Sequence, residues 1–220
     1  MIYVKLAVIF TVSYLLGSLS FAIIISKGIY KKDIRKFGSG NAGMTNILRT
    51  FGKTAAALTL AGDMLKGAVA VGFAKMFMAH YWTVEIPQGM SYSFLYECAV
   101  YIAVFGAFIG HLYPIYFGFK GGKGISVACG AMMAATPLYT SLALGIFIII
   151  VFISRIVSLA SIISSCSYLV IILISFKLTG TFSLPNLVIG IVVPAIIVYA
   201  HRSNIKRLLN GTEYRFGQKK

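Results

Sequence analysis

The sequence predicts an all-α integral membrane protein of about seven transmembrane helices, N-terminus outside and C-terminus cytoplasmic. Three observations predict it. Of the 220 residues, 59% are hydrophobic and 11% charged, and the mean hydropathy is +0.88. The apolar residues fall in runs approaching the roughly 20 that a helix needs to cross a bilayer. Lys and Arg collect in short segments between those runs, the pattern that marks cytoplasmic loops. The chain reads as a single polytopic membrane domain over 1–220.

The first run, near 4–25, exceeds the roughly 7 to 15 apolar residues of a signal-peptide core and has only Lys5 at its start, so a retained first span is expected. Residues 26–53 carry seven Lys and Arg against one acid, Asp33. Such a loop belongs inside. A second span is expected over 55–79, and the loop behind it carries Glu85 and no base, as an outer loop would. A third span is expected over 98–118.

The apolar stretch 125–153 is broken at Pro137. If it crossed once, the tail 201–220, with six Lys and Arg against Glu213, would fall outside. Two crossings return the tail to the cytoplasm and satisfy the charge rule, with later spans over 157–176 and 184–200. Residues 125–136 would then be only about 18 Å long against a hydrocarbon core of about 30 Å, a half-span or a re-entrant segment.

The formal charge of +15 does not point to nucleic acid, because soluble readers of DNA or RNA do not interleave basic patches with runs such as LALGIFIIIVFIS. The three cysteines, Cys98, Cys129 and Cys166, stand apart in apolar stretches. Without CxxC or Cys/His spacing they read as small buried hydrophobes, and no metal site is expected.

This topology puts 39–49, Lys120 with Lys123, Arg155 with Ser158, and 201–207 on one face of the membrane. In GSGNAGMTNILRT, Gly38, Gly40 and Gly43 open backbone conformations that let consecutive N–H groups point at one anion, while Ser39, Asn41, Thr45 and Asn46 add donors. A helix starting near Thr45 would align Thr45, Arg49 and Lys53 and aim its N-terminus at the same anion. A plain turn would use the same glycines. The run GHLYPIYFGFKGGKG fails as a nucleotide P-loop, since Phe117 and Gly124 stand where a glycine and a hydroxyl are needed. It leaves Lys123 as a point charge for phosphate.

In the tail, His201 and Asn204 share a helical face at the mouth of the last span. His111 is expected to shape the turn it begins. Asp63 and Lys66, three apart in a span, read as a structural ion pair, with orientation of a charged ligand as the alternative. His80 and Glu85 have a spacing similar to the H-x4-D motif of a class of membrane acyltransferases but fall on the outer side, away from every other cluster.

These pieces resemble the acyl-phosphate glycerol-3-phosphate acyltransferases of the bacterial PlsY type. The resemblance is carried by YLLGS, GSGNAGMTNILRTFGK, D-x-x-KG at Asp63, GHLYPIYFGFKGGKG, RIVSLASI and HRSNIKRLLNGTE, which run in the family's order over 14–213. Ser20, Met44 and Ser203 depart from a usual proline, alanine and glutamate. The resemblance implies a seven-span protein of the bacterial inner membrane, with its active site facing the cytoplasm. It also implies acyl transfer from fatty acyl phosphate to the sn-1 hydroxyl of glycerol 3-phosphate, giving lysophosphatidic acid and phosphate within phospholipid biosynthesis. Neither a cofactor nor a nucleic-acid partner is expected. The expected partners are the two substrates, membrane lipid and, transiently, the enzyme that makes acyl phosphate.

Ser39, Asn41, Thr45, Asn46, Arg49, Lys123 and Ser158 are the expected substrate ligands, and His201 and Asn204 the catalytic pair. Either His201 is the general base, or a substrate phosphate takes the proton and His201 with Asn204 orients it. The rival readings are an organic-phosphate transporter, against which the absence of an internal repeat counts, and a non-catalytic scaffold.

Overall fold

The structure, a computed structural model, describes residues 2–81, 86 and 88–217, so Glu85, Lys219 and Lys220 lie outside the described residues. Among the described residues it is all-helical, with ten α-helices and two short 3-10 turns. The chain forms two compact units, Met1–Ala135 and Thr136–Lys220.

In the first unit, α1 (Ile2–Gly17) and α2 (Phe21–Gly28) together make one broken apolar span. Ser18 Oγ donates to the Tyr14 carbonyl (2.8 Å) at the break. Helix α3 (Met44–Phe51) is short and ends at Gly52, whose φ is +90°. Helices α4 (Lys53–Tyr81) and α5 (Tyr92–Leu112) are long apolar crossings, and α6 (Ile125–Ala135) has 11 residues. Helix α1 packs on α5 through small residues: a Cβ on Gly17 would collide with the Ala107 backbone, and one on Gly110 with the Tyr14 carbonyl. Helices in lipid associate by this kind of close backbone approach, because lipid tails offer no hydrophobic driving force between them.

At about 16 Å, α6 is half the thickness of a bilayer core. Its exposed end carbonyls need donors there. Lys75 of α4 supplies one to the Ala134 carbonyl at 2.7 Å.

The polar end of this unit is built on a small buried cluster. Ala22, Ile23 and Ile25 of α2, Ile34, Ala42, and Ile47 of α3 pack with Ala55 and Ala56 of α4, and Phe117 leans on them. Burying these side chains fixes where the 37–43 loop starts and ends.

In the second unit, α7 (Pro137–Ser154) turns at Arg155, a non-glycine residue in the left-handed region (φ +58°), into α8 (Val157–Thr179). Gly180 (φ +69°) ends α8, and α9 (Leu184–Ala200) follows. Buried polar groups are paired inside it, Tyr168 donating to Asn186 Oδ1 at 2.8 Å. At His201 the chain bends by 61° into α10 (Arg202–Leu209).

Among the described residues, five helices or broken helices are long and apolar enough to cross a membrane, six if α9 and α10 are taken as one span. The protein is therefore a multi-pass membrane protein. The segments expected at 55–79, 157–176 and 184–200 lie in α4, α8 and α9, the one at 4–25 is broken at 18–20, and 125–153 divides into α6 and α7. The one expected at 98–118 is displaced, α5 running Tyr92–Leu112 before a turn and a 3-10 segment. Helix α6 and α9, with 11 and 17 residues, are those that fall short of a full crossing alone.

Candidate functional site

The glycine loop 38–43 is organised from within by Asn46. This residue is 2% exposed. Nδ2 faces the carbonyls of Phe37 (2.9 Å), Asn41 (3.0 Å) and Ile34 (3.3 Å), while Oδ1 accepts the Ser39 N–H at 3.0 Å. Gly38 and Gly40 have φ of +58° and +72°, and a Cβ on Gly38 would overlap Asn46 Oδ1. The backbone wraps this amide because two of its residues reach the left-handed region without a side chain.

The wrap leaves Ser39 exposed and Asn41, Thr45 and Arg49 half-buried around the start of α3. Helix α3 begins at Met44 with Gly43 as its cap, so its first N–H groups look out of the loop, a setting that favours an anion. Thr45 and Arg49 share a helical face as expected. Lys53 does not join them, because the Gly52 break puts it in the first turn of α4.

The basic loop ahead of these glycines is clamped. Asp33 takes the Arg35 guanidinium on both oxygens (3.0 and 2.8 Å) and lies 3.4 Å from Lys27. The Arg35 hydrogen bond outweighs burial and holds the Asp33 carboxyl well below the usual carboxylate range. A third Arg35 nitrogen donates to the Phe117 carbonyl at 2.7 Å, tying this loop to the one carrying Lys123.

The second loop, 118–124, folds against the end of α5. The Gly121 and Gly122 N–H groups donate to the carbonyls of Leu112 (3.1 Å) and His111 (3.2 Å). A Cβ on Gly122 would lie 2.6 Å from the Ala42 carbonyl oxygen. The two glycine loops therefore meet, Ala42 of one against Gly122 of the other, with Lys123 half-buried next along the chain. This is an anion-binding arrangement: short loops rich in N–H donors, with an Arg and a Lys beside them.

The second unit carries its own polar constellation. His201 Nδ1–H donates to the Ile197 carbonyl at 2.8 Å, which orients a buried imidazole. Asn204 Nδ2 donates to Glu213 Oε1 (2.7 Å), Ser158 Oγ donates to the same oxygen (3.0 Å), and Arg207 Nε donates to Oε2 (2.7 Å). Burial opposes ionisation of Glu213, but these three donors outweigh it and hold its carboxyl below the usual range. Among the described residues, no three His, Cys, Asp or Glu side chains gather to hold a metal ion.

A sequence profile of the family described as glycerol-3-phosphate acyltransferase matches residues 7–211. A glycerol-3-phosphate acyltransferase of Clostridioides difficile (strain 630) is 42% identical over 97% of this chain and 96% of its own. One from Neisseria meningitidis (strain FAM18) is 37% identical over 95% and 96%. The chain belongs to the PlsY family of glycerol-3-phosphate acyltransferases. Two solved structures of a family member, the integral membrane acyltransferase PlsY (YgiH), superpose on it. The glycerol 3-phosphate form has a TM-score of 0.79 at 33% identity and the lysophosphatidic acid form 0.75 at 32%, each over 96% of this chain and 96% and 95% of theirs.

Within this family member the expected ligands divide by what their side chains already do. Ser39, Asn41, Thr45, Arg49 and Lys123 edge the paired loops. Asn46 and Ser158 are engaged within the protein: the Asn46 amide holds the loop, and the Ser158 hydroxyl proton goes to Glu213. Two features escaped the sequence reading. Glu213 returns to Asn204 because Gly211 (φ +67°) reverses the chain behind α10, a turn that Asn-Gly after a helix signals. His111 joins Asp63 and Lys66 in one buried cluster, whereas the spacing pointed only to the ion pair.

Proposed function

We propose that this chain transfers a fatty acyl group from acyl phosphate to the sn-1 hydroxyl of glycerol 3-phosphate, releasing phosphate and lysophosphatidic acid. The observation that carries the reading is the meeting of the two glycine loops at Ala42 and Gly122 in a member of an acyltransferase family. Both substrates bring a phosphate to such a cradle, and one brings a tail soluble in the bilayer.

Ser39, Asn41, Thr45, Arg49 and Lys123 hold substrate phosphate, Asn46 shapes their loop, and His201 with Asn204 serves the glycerol hydroxyl. Its oxygen bonds to the acyl carbonyl carbon, the carbonyl carbon to phosphate oxygen bond breaks, and phosphate leaves with the electron pair. The hydroxyl proton passes to His201 Nε2 or to a substrate phosphate oxygen, His201 then acting by orientation. Holding the reactants supplies several kcal/mol, up to about 10, and one donor aimed at the developing oxyanion about 3 more.

We place the N-terminus outside and the loops 26–43 and 118–124 and the tail in the cytoplasm of a bacterial inner membrane, with seven membrane segments counting α6 as a half-span. The charge distribution supports this orientation. The enzyme that makes acyl phosphate is a transient partner in this scheme.

Detergent-purified protein given palmitoyl phosphate and glycerol 3-phosphate should make lysophosphatidic acid without any membrane gradient. No product from folded protein would reject the reading in favour of transport or scaffolding. Arg49→Ala should raise the KM of a phosphate substrate tenfold or more.

A further inference from the structure

We propose that His111 is a positioning residue for the reaction, setting the 118–124 loop, and with it Lys123, against the 38–43 loop. The proposal rests on the reading of Lys123 as a ligand of substrate phosphate.

Asp63 and Lys66 sit inside α4, with side chains 1% and 2% exposed and Nζ 2.8 Å from Oδ1. Two opposite charges already offset one another at that depth, so the pair alone needs no histidine. Yet Lys66 Nζ also lies 3.0 Å from His111 Nδ1 and 2.7 Å from the Leu19 carbonyl oxygen. The ammonium is within hydrogen-bond reach of these two acceptors and has Asp63 as its counter-ion. An ammonium only donates, so His111 Nδ1 accepts and Nε2 keeps the ring proton. One edge of the imidazole is thereby anchored to α4 and to the break between α1 and α2.

The opposite edge faces the loop. A Cβ on Gly122 would overlap His111 Nε2, lie 3.0 Å from Cε1 and also press the Ala42 carbonyl. Gly122 thus stands in close contact with both the anchored ring and the loop of Ser39 and Asn41. At Gly121 the fit is as close: a Cβ there would overlap the His111 carbonyl and lie 2.7 Å from Pro114. The loop has no slack at this point, so where the ring edge stands decides where Gly122 and its neighbour Lys123 stand. A misplacement of about 1 Å in a reacting assembly can cost on the order of 100-fold in rate.

His111→Asn separates positioning from ion-pair support. Its carboxamide oxygen falls near the place of Nδ1, so Lys66 keeps an acceptor, while the ring edge that meets Gly122 is removed. Steady-state kinetics with palmitoyl phosphate and glycerol 3-phosphate should show the KM of one substrate raised about fivefold or more, the substrate Lys123→Ala also affects. Thermal unfolding should stay near wild type. In the double variant the two changes should not multiply, because both act through one contact.

Wild-type KM values in His111→Asn beside an impaired Lys123→Ala overturn the positioning role alone, and so do multiplying effects. Wild-type kinetics for Lys123→Ala overturn the phosphate reading of Lys123, and this role with it. Should His111→Asn not fold, Gly122→Ala presses the loop from its own side with the buried cluster intact, and the same KM must rise; an unchanged KM there also overturns the proposal.

Discussion

Asn204 donates its carboxamide N–H to Glu213 across 2.7 Å, so a residue on α10 is aimed by a carboxylate nine positions later in the tail. The acid is itself held by Arg207 and Ser158. Glu213→Gln keeps the shape but replaces one acceptor oxygen with a donor, so one of the three donors faces an N–H. Activity should fall about 10-fold or more, with a loss of about 2 kcal/mol in stability, in line with buried hydrogen bonds to a charged group. Initial rates and thermal unfolding in detergent test this; an unaffected rate would remove Glu213 from the support of Asn204.

The same carboxylate sets a pH limit. Its folded-state pKa is depressed, so the stability it contributes is fully present above the unfolded value of about 4.3 and is lost as pH falls through the lower folded value. The unfolding midpoint of the wild type should drop between pH 5 and 3 (roughly). The Glu213→Gln variant should show a shallower fall over that window. Parallel curves would mean Glu213 contributes nothing to acid stability.

Asn46 holds its loop through both ends of the carboxamide. Asn46→Asp keeps an acceptor for the Ser39 N–H but turns a second oxygen toward three backbone carbonyls, which is a buried repulsion costing several kcal/mol. Protease cleavage within 37–43 should accelerate and acyl transfer should fail, whereas Asn46→Ala should be milder. Equal protection of all three forms would argue that the loop is held by other contacts.

Two glycines only ten residues apart should behave oppositely. Gly38→Ala must place a Cβ at φ +58° and against Asn46 Oδ1, whereas a Cβ at Gly28 meets nothing within 4 Å. The first change should abolish most activity, and the second should leave rates within about twofold, as surface changes away from special geometry do. Comparable kinetics for the two would contradict the strained wrap around Asn46.

The apolar pattern made the long crossings legible: the run at 55–79 is the body of α4, and Pro137 does separate α6 from α7. The expected family was legible in the motifs, and the profile and the related structures agree with it. What composition could not display are breaks made by small polar residues inside otherwise continuous runs, as at 18–20, and by Gly52 between α3 and α4. Hydropathy averages across them. Side-chain roles were harder still. Asn46 and Arg49 stand in the same motif, but one faces the protein and the other edges the loop, a distinction set by which rows of α3 pack on α2 and α4. Glu213 and His111 were reached by chain reversals that spacing along a helix does not encode.

Helix α6 also bears on how the protein is made. A segment of 11 residues with open end carbonyls has little reason to leave the translocation machinery for lipid by itself. Lys75, which closes the Ala134 carbonyl, is synthesised 59 residues earlier. Biogenesis of this region is therefore sequential: α4 must already stand in the bilayer, ammonium group in waiting, before the half-helix has anywhere to go.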